Sequence, residues 1–140
     1  MSVTGSVIVG TPEAAADALV DGIEARSCVI PVGGVEGRHV TTLEGLGAAG
    51  RLHPVQQAFL EFGAVQCGAC TPGLIMTAKA LLETNPSPDE AAINEALAGA
   101  ICRCTGHIKV KEAVRQAIRR MAATTEDACS TFTGTSWAGR

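Results

Sequence analysis

The stretch that decides the fold runs from Gln66-Cys67-Gly68-Ala69-Cys70-Thr71-Pro72 to Cys102-Arg103-Cys104-Thr105-Gly106. It holds two close pairs of cysteines, C-x2-C and C-x-C, with 31 residues between them. Each pair is followed by residues that favour the start of a helix, Thr-Pro after the first and Thr-Gly after the second. The free amides of a helix start favour negative charge, so four thiolates at two such starts predict a bound metal cation or an iron–sulfur cluster.

The composition is that of a globular chain without a membrane span. The 140 residues are 46% hydrophobic and 18% charged, with a net charge of −3 at pH 7. A hydrophobic core is therefore expected and nucleic-acid binding is not. No run of about eighteen apolar residues exists, and the first residues lack the basic start of a secretory signal. We expect a cytoplasmic protein whose close thiol pairs bind metal rather than form disulfides.

Residues 51–123 have the apolar spacing of four helices. Pro54 opens the first helix and Gly63 ends it. Thr71 is expected as the N-cap of the second helix, with Pro72 at its first position. The inward faces of these two helices are predicted to consist of Val55, Ala58, Phe59, Phe62, Leu74, Ile75, Ala78, Leu81 and Leu82.

The other two helices have equally clear starts. Ser87 is expected to cap the third, with Pro88 at its first position and Glu90 completing a capping box. Thr105-Gly106 opens the fourth. The predicted fold is mainly α: two helix pairs, related by a pseudo-two-fold axis, with a cysteine pair at the start of the second helix of each. The inward residues of the third and fourth helices are Ile93, Ala96, Leu97, Ala100, Val110, Ala113, Val114, Ala117, Ile118 and Met121.

The two ends of the chain have a different composition. In residues 1–50, Val29-Ile30-Pro31-Val32 and His39-Val40-Thr41-Thr42 flank glycines and predict a short β-hairpin with a loose loop, followed by a glycine-rich connection. Residues 124–140 are rich in Thr, Ser and Gly and are expected to form a flexible tail.

Three kinds of site remain open for the cysteines on spacing alone. An iron–sulfur cluster is favoured because cluster and helix starts are electrostatically matched. Structural zinc is the main alternative, although zinc sites usually combine two C-x2-C halves on small β-containing scaffolds. Unligated buried thiols are the third. The isolated His39, His53 and His107 are expected to cap or pack rather than to catalyse, and no catalytic constellation is marked by spacing.

Three segments carry a family resemblance: His53-Pro54-Val55-Gln56-Gln57-Ala58-Phe59, then residues 63–73 around Cys67 and Cys70, then residues 102–106. With the 31-residue spacer, they make residues 51–118 closely resemble the helical [2Fe–2S] domain of the molybdenum hydroxylase family. That family includes xanthine dehydrogenases, aldehyde oxidoreductases and aerobic carbon monoxide dehydrogenases. The resemblance favours the cluster over zinc and implies Cys67, Cys70, Cys102 and Cys104 as its ligands.

The resemblance also implies partners and cofactors. It implies an electron-transfer subunit docked to a large subunit that carries molybdopterin, with FAD on a further subunit. Gln66 and Cys104 match positions that lie against the pterin, although Gln66 could instead cap local backbone amides. Arg103, between two ligands, could tune the cluster or form an ion pair at the interface.

The chain departs from the family pattern upstream of residue 28. Small subunits of the family usually begin with a ferredoxin-like domain that carries a second cluster, and residues 21–45 resemble its last part, with Cys28 at the fourth ligand position. Residues 1–27 contain no cysteine, so we predict one cluster rather than two. Cys28 is then expected to be a buried structural thiol, or a ligand completed by another chain, and Cys129 a free thiol.

The sequence therefore predicts an electron-transfer component that carries electrons from a partner's molybdopterin site through one [2Fe–2S] cluster toward flavin or another acceptor. The alternative is a structural or assembly module, without redox function, that binds zinc or no metal.

Overall fold

Four helices and a small sheet make up the fold in a computed structural model of the chain. The structure describes residues 18–47 and 51–130, with side chains as far as Ala123 in the last helix. Three 3₁₀ turns, at Ser27–Val29, Val32–Val35 and Leu43–Gly45, flank the third strand. The mainly α class predicted from the sequence is confirmed. In chain order the elements are β1 (Ala18–Val20), β2 (Ile23–Ala25), β3 (Val40–Thr42), α1 (Pro54–Glu61), α2 (Thr71–Thr84), α3 (Glu90–Ala98) and α4 (Ile108–Ser130).

The sheet is antiparallel, with strand order β2-β1-β3. Asp21 and Gly22 form the tight turn between β1 and β2, and both have positive φ angles, 52° and 82°, as a two-residue hairpin turn requires. The Asp21 carboxylate fixes this turn by accepting hydrogen bonds from Arg38 Nε at 2.7 Å and from the His39 amide at 2.9 Å.

The hairpin predicted between residues 29–32 and 39–42 is wrong in its first half. β3 forms as expected, but its partner is β1, through the pairs Ala18–Thr42 and Val20–Val40. Residues 27–29 and 32–35 form 3₁₀ turns instead of a strand. Their valines are not core residues: Val29 is 71% exposed and Val32 is 85% exposed, so burial gives no reason for a strand there.

The first helix starts as the sequence predicts, and the second starts one residue early. His53 is the N-cap of α1: its Nδ1 accepts from the Val55 amide at 3.3 Å, while Gln56 Oε1 accepts from the His53 amide at 2.9 Å. This confirms a capping role for His53. In α2 the N-cap is Cys70, not Thr71, because Cys70 already has near-helical backbone angles and its carbonyl accepts from Leu74 N at 3.0 Å.

The third and fourth helices differ more from expectation. The N-cap of α3 is Asp89, whose Oδ1 accepts from the Ala92 amide at 2.8 Å; Ser87 lies two residues outside and donates its own amide to Asn85 Oδ1. A carboxylate closer to the helix displaces the predicted serine cap. α4 continues to Ser130, past residue 124 where the tail was expected to begin, and residues 131–140 lie outside the described residues.

The core lies between the four helices, and α2 is its centre. One side of α2 buries Leu74, Ile75, Ala78 and Leu82 against the other helices. Its other side buries Met76 and Ala80 against Leu19 of β1, which fastens the sheet to the helical body. The inward residues of the partner helices that are almost fully buried are Val55, Ala58, Phe59, Ile93, Leu97, Val110, Ala113, Val114 and Ala117.

Helix packing pairs α1 with α4 and α2 with α3. The predicted pseudo-two-fold axis relates α1 to α3 and α2 to α4. It therefore turns the contact of α1 with α4 into the contact of α3 with α2, so the two observed contacts are consistent with it. Arg115 of α4 joins α3 through Glu90 at 2.8 Å, and Arg120 of α4 joins α1 through Glu61. Within the described ranges, none of the helices is both long and apolar enough to traverse a bilayer.

Candidate metal centre

The cysteines lie in two loops that occupy equivalent positions, each between the two helices of a pair. Cys67 and Cys70 lie between α1 and α2, and Cys102 and Cys104 lie between α3 and α4. Each loop leaves its helix through a buried alanine: Ala64, whose amide donates to the Phe59 carbonyl at 2.9 Å, and Ala100, whose amide donates to the Leu97 carbonyl at 3.1 Å. The core therefore anchors both loops immediately before the thiols.

The four predicted thiols come together as two pairs, each with one member from each loop. Cys104 Sγ lies 3.4 Å from Cys67 Sγ, and the thiols of Cys70 and Cys102 are close enough to shift each other's pKa. Cys70 is buried and Cys102 is half-buried, whereas Cys67 and Cys104 are exposed. We call Cys70 and Cys102 the inner pair and Cys67 and Cys104 the outer pair.

The loop of the second cysteine pair is held by Thr105. Its hydroxyl lies 2.9 Å from Cys102 Sγ and accepts the His107 amide at 3.3 Å, and its own amide donates to Cys102 Sγ at 3.4 Å. From the sequence, Thr105 is predicted only to start a helix. A hydroxyl three residues after a cysteine in a turn is the signal that could have marked it as a sulfur contact.

The surroundings make one thiol of each pair more acidic than the other. Backbone hydrogen bonding at Ala69 and the thiol of Cys104 lower the pKa of Cys67. At Cys102, burial opposes ionisation, but hydrogen bonds from the Thr105 hydroxyl and amide outweigh it and lower the pKa to about 7. Burial and the neighbouring Cys102 raise the pKa of Cys70 to about 11, and the contact with Cys67 raises that of Cys104. In each pair a thiolate is thus stabilised beside a thiol that donates to it.

Two glycines shape the loops through backbone conformation. Gly68 and Gly106 have φ angles of +88° and +55°, which residues with a side chain rarely adopt. A Cβ built on either residue would meet no atom of the described residues within 4 Å, its two chain neighbours aside. Within the chain itself, the positive φ is therefore the reason for these glycines, rather than a close approach of the backbone to neighbouring protein atoms.

The remaining predicted residues divide between the site and other surfaces. Gln66 and Arg103 are exposed next to the outer pair, and no hydrogen bond or ion pair within the described ranges involves either side chain. Cys28 is exposed in the turn Ser27–Val29, so the expected buried structural thiol is wrong; that turn has no buried residue. Cys129 lies in α4 rather than in a tail, and its side chain is outside the described part.

The donor set suits a centre with more than one metal ion. Among the described residues, no three or more His, Cys, Asp or Glu side chains are grouped as ligands of a single ion. The thiols instead form two cross-loop pairs at two helix starts, which fits a cluster with four thiolate ligands shared between two irons. Fold and site together define a helical protein with a four-thiol centre.

Comparison with known protein families shows which kind of four-thiol protein this is. The family described as "[2Fe-2S] binding domain" matches residues 42–115, which include all four thiols, the first three helices and about the first third of α4. The chain belongs to this family of [2Fe–2S]-binding domains.

Curated relatives are components of oxidoreductases. The chain is 52% identical over 99 residues to one of the subunits of the nicotinate dehydrogenase of Pseudomonas putida, covering 71% of this chain and 63% of the relative. It is 47% identical over 104 residues to the small FeS subunit of nicotinate dehydrogenase of Eubacterium barkeri, covering 74% and 66%. The chain thus spans slightly less than two thirds of the length of these relatives.

Solved structures show the same fold. The aldehyde oxidoreductase of Desulfovibrio desulfuricans matches with a TM-score of 0.75 and 40% identity, over 84% of this chain and 14% of that one. Quinoline 2-oxidoreductase of Pseudomonas putida matches with a TM-score of 0.71 and 35% identity, over 79% and 68%. The resemblance to the molybdenum hydroxylase family seen in the sequence is confirmed.

Proposed function

We propose that the chain is the electron-transfer component of a molybdenum-containing hydroxylase and carries one [2Fe–2S] cluster on Cys67, Cys70, Cys102 and Cys104. The observation that carries the proposal is the convergence of these four thiols from two loops of a domain that belongs to a [2Fe–2S]-binding family. These four thiols would hold the cluster, which would supply one-electron transfer.

The pairing of the thiols supports a proposal for how they would divide between the two irons. The inner pair would hold one iron and the outer pair the other, so that each iron joins the two loops. α2 begins directly after Cys70 and α4 begins four residues after Cys104, so both helix N-termini follow closely on ligand positions. The helix dipoles and the Thr105 contacts to Cys102 favour the more negative, reduced state.

The exposure of the outer pair indicates the side of the centre from which a partner could approach. Cys67 and Cys104 reach the surface beside Gln66 and Arg103, whereas Cys70 faces the core. We propose that this surface docks on the large subunit, with Gln66 against the molybdopterin, and that electrons enter through the outer pair. The exposed Ile101 and Ile108 next to the site supply the apolar area that a stable interface needs. An FAD-bearing subunit is the proposed next acceptor.

The relatives suggest a substrate class for the complex. Nicotinate dehydrogenase, the nicotine 6-hydroxylase of Paenarthrobacter nicotinovorans and quinoline 2-oxidoreductase all have names that specify a nitrogen heteroaromatic compound. We propose that the partner subunit hydroxylates a compound of this class. We propose that the substrate binds to the partner subunit rather than to this chain.

The test is purification of the tagged chain from its own host. We expect a molybdopterin-containing large subunit to co-purify, and anaerobic nicotinate or a related heteroaromatic to bleach the visible absorption of the cluster. The matched control is a Cys102→Ala chain, which should show no bleaching. A chain that purifies alone with zinc would contradict the proposal.

A further inference from the structure

His107 has a backbone conformation that needs an explanation. Its φ is +63°, directly after Gly106 at +55°. In the described ranges Asp21 is the other residue besides glycine with positive φ, and its hairpin turn accounts for that. A left-handed conformation is unfavourable for a residue with a side chain and is retained where the surroundings or a function impose it.

The backbone of His107 is fixed beside the metal centre. Its amide donates to Thr105 Oγ1 at 3.3 Å, and its carbonyl accepts from Lys111 N at 2.9 Å in the first turn of α4. The same Thr105 hydroxyl lies 2.9 Å from Cys102 Sγ. A single hydroxyl group therefore bridges the His107 backbone amide and a thiol of the inner pair, which fixes the backbone of His107 next to that thiol.

The imidazole of His107 carries a buried nitrogen without a partner. Nε2 is inaccessible to solvent, and no group in the described part of the chain bonds to it. Buried polar atoms in native proteins nearly always have a hydrogen-bond partner, because burying one without compensation is unfavourable. The missing partner therefore lies outside the described part of the chain.

We propose that His107 Nε2–H donates a hydrogen bond to a sulfur atom of the [2Fe–2S] centre and thereby raises its reduction potential. The inference rests on the proposed function, since it requires the cluster. The neutral imidazole can place its proton on Nε2. A donor to sulfur stabilises the more negative, reduced state, as hydrogen bonds around iron–sulfur clusters generally do. His107 is then a tuning residue rather than a helix-cap residue alone.

The test compares three variants of the full chain, each loaded with the cluster. His107→Gln keeps a donor near the position of Nε2. His107→Asn tolerates positive φ best but places its donor near Nδ1. His107→Phe keeps the ring without a donor. We expect His107→Asn and His107→Phe to lower the equilibrium constant for one-electron reduction of the cluster about tenfold, which lowers its reduction potential by about 59 mV. The potential of His107→Gln should stay close to that of the wild type.

A spectroscopic measurement on the wild-type chain tests the hydrogen bond even if a variant does not fold. In wild-type chain grown with ¹⁵N-labelled histidine, pulsed electron paramagnetic resonance of the reduced cluster should show a ¹⁵N hyperfine coupling, which disappears in His107→Gln. If the wild type holds a [2Fe–2S] cluster but shows no coupling, or if His107→Phe leaves the potential unchanged, the inference is overturned and the proposed function stands. If the wild type takes up no cluster, both fail.

Discussion

At the scale of single residues, the environment of each thiol explains why four chemically identical side chains are not equivalent. Cys102 is acidified by Thr105, whereas burial keeps Cys70 protonated in the absence of metal. Burial and hydrogen bonding are three-dimensional properties, so the spacing of the cysteines could predict that they converge but not which would ionise first. The same reason explains the error at Cys28, a thiol followed by Val29 and Ile30 that the fold leaves exposed.

Cys104→Ala is expected to abolish the cluster. It removes a thiolate from the outer pair, and a [2Fe–2S] cluster with three protein ligands is not expected to persist. Iron and inorganic sulfide analysis, with electron paramagnetic resonance of the reduced chain, should show a nearly complete loss. The matched control is Cys28→Ala, an exposed thiol in the turn Ser27–Val29, which should retain the wild-type signal. A full signal in Cys104→Ala would remove Cys104 from the ligand set.

At the scale of secondary-structure elements, the helices could be predicted and their starts only in part. Apolar spacing located all four helices because their inward faces are buried as the pattern requires. The starts depended on which of several capping residues the chain uses, and Asp89 prevailed over Ser87. The strands were harder to predict than the helices. Asp21-Gly22 is a strong signal for a hairpin turn, but Val29 and Val32 have a high strand propensity and drew the predicted strand to a segment that is exposed in the structure.

Asp89→Ala is expected to destabilise the domain by about 1 kcal/mol, a typical cost of losing an N-cap side chain. The Asp89 carboxylate accepts from the Ala92 amide, which would lose that partner. Urea unfolding followed by circular dichroism measures the change. Ser87→Ala is the control and should leave the free energy of unfolding within about 0.5 kcal/mol, as at an ordinary surface site. Equal losses in both variants would restore Ser87 as the cap.

The cap of α1 is expected to depend on pH. Burial, and to a lesser extent Lys79, lower the pKa of His53 in the folded chain, and its Nδ1 can accept from the Val55 amide only when neutral. The unfolded chain therefore binds this proton more readily, and the stability that His53 contributes is lost as the pH falls below the ordinary histidine pKa of about 6.5.

Free energies of unfolding at pH 5 and pH 7.5 test this dependence. The wild type should lose more stability on acidification than His53→Asn, which retains a capping side chain that does not titrate. His39→Asn, at an exposed histidine near the sheet, should follow the wild type. Identical losses in the wild type and His53→Asn would show that His53 does not control the cap.

At the scale of the whole molecule, the packing of α1 on α4 and of α2 on α3 brings two loops, distant in sequence, to one place. The sequence predicted this convergence through the repeated arrangement of helix and cysteine pair, and the family comparison confirms the class of the domain. It could not predict that α2 is buried on two sides, because Met76 and Ala80 lie off the main apolar face and meet the sheet only in the folded chain.

We propose that these 140 residues hold one [2Fe–2S] cluster on four thiols. The most direct measurement is iron, inorganic sulfide and zinc analysis of the chain purified without oxygen, together with electron paramagnetic resonance after reduction. We predict two irons and two sulfides per chain and a single [2Fe–2S] signal. Stoichiometric zinc without iron, or two distinct cluster signals from one chain, would contradict the account.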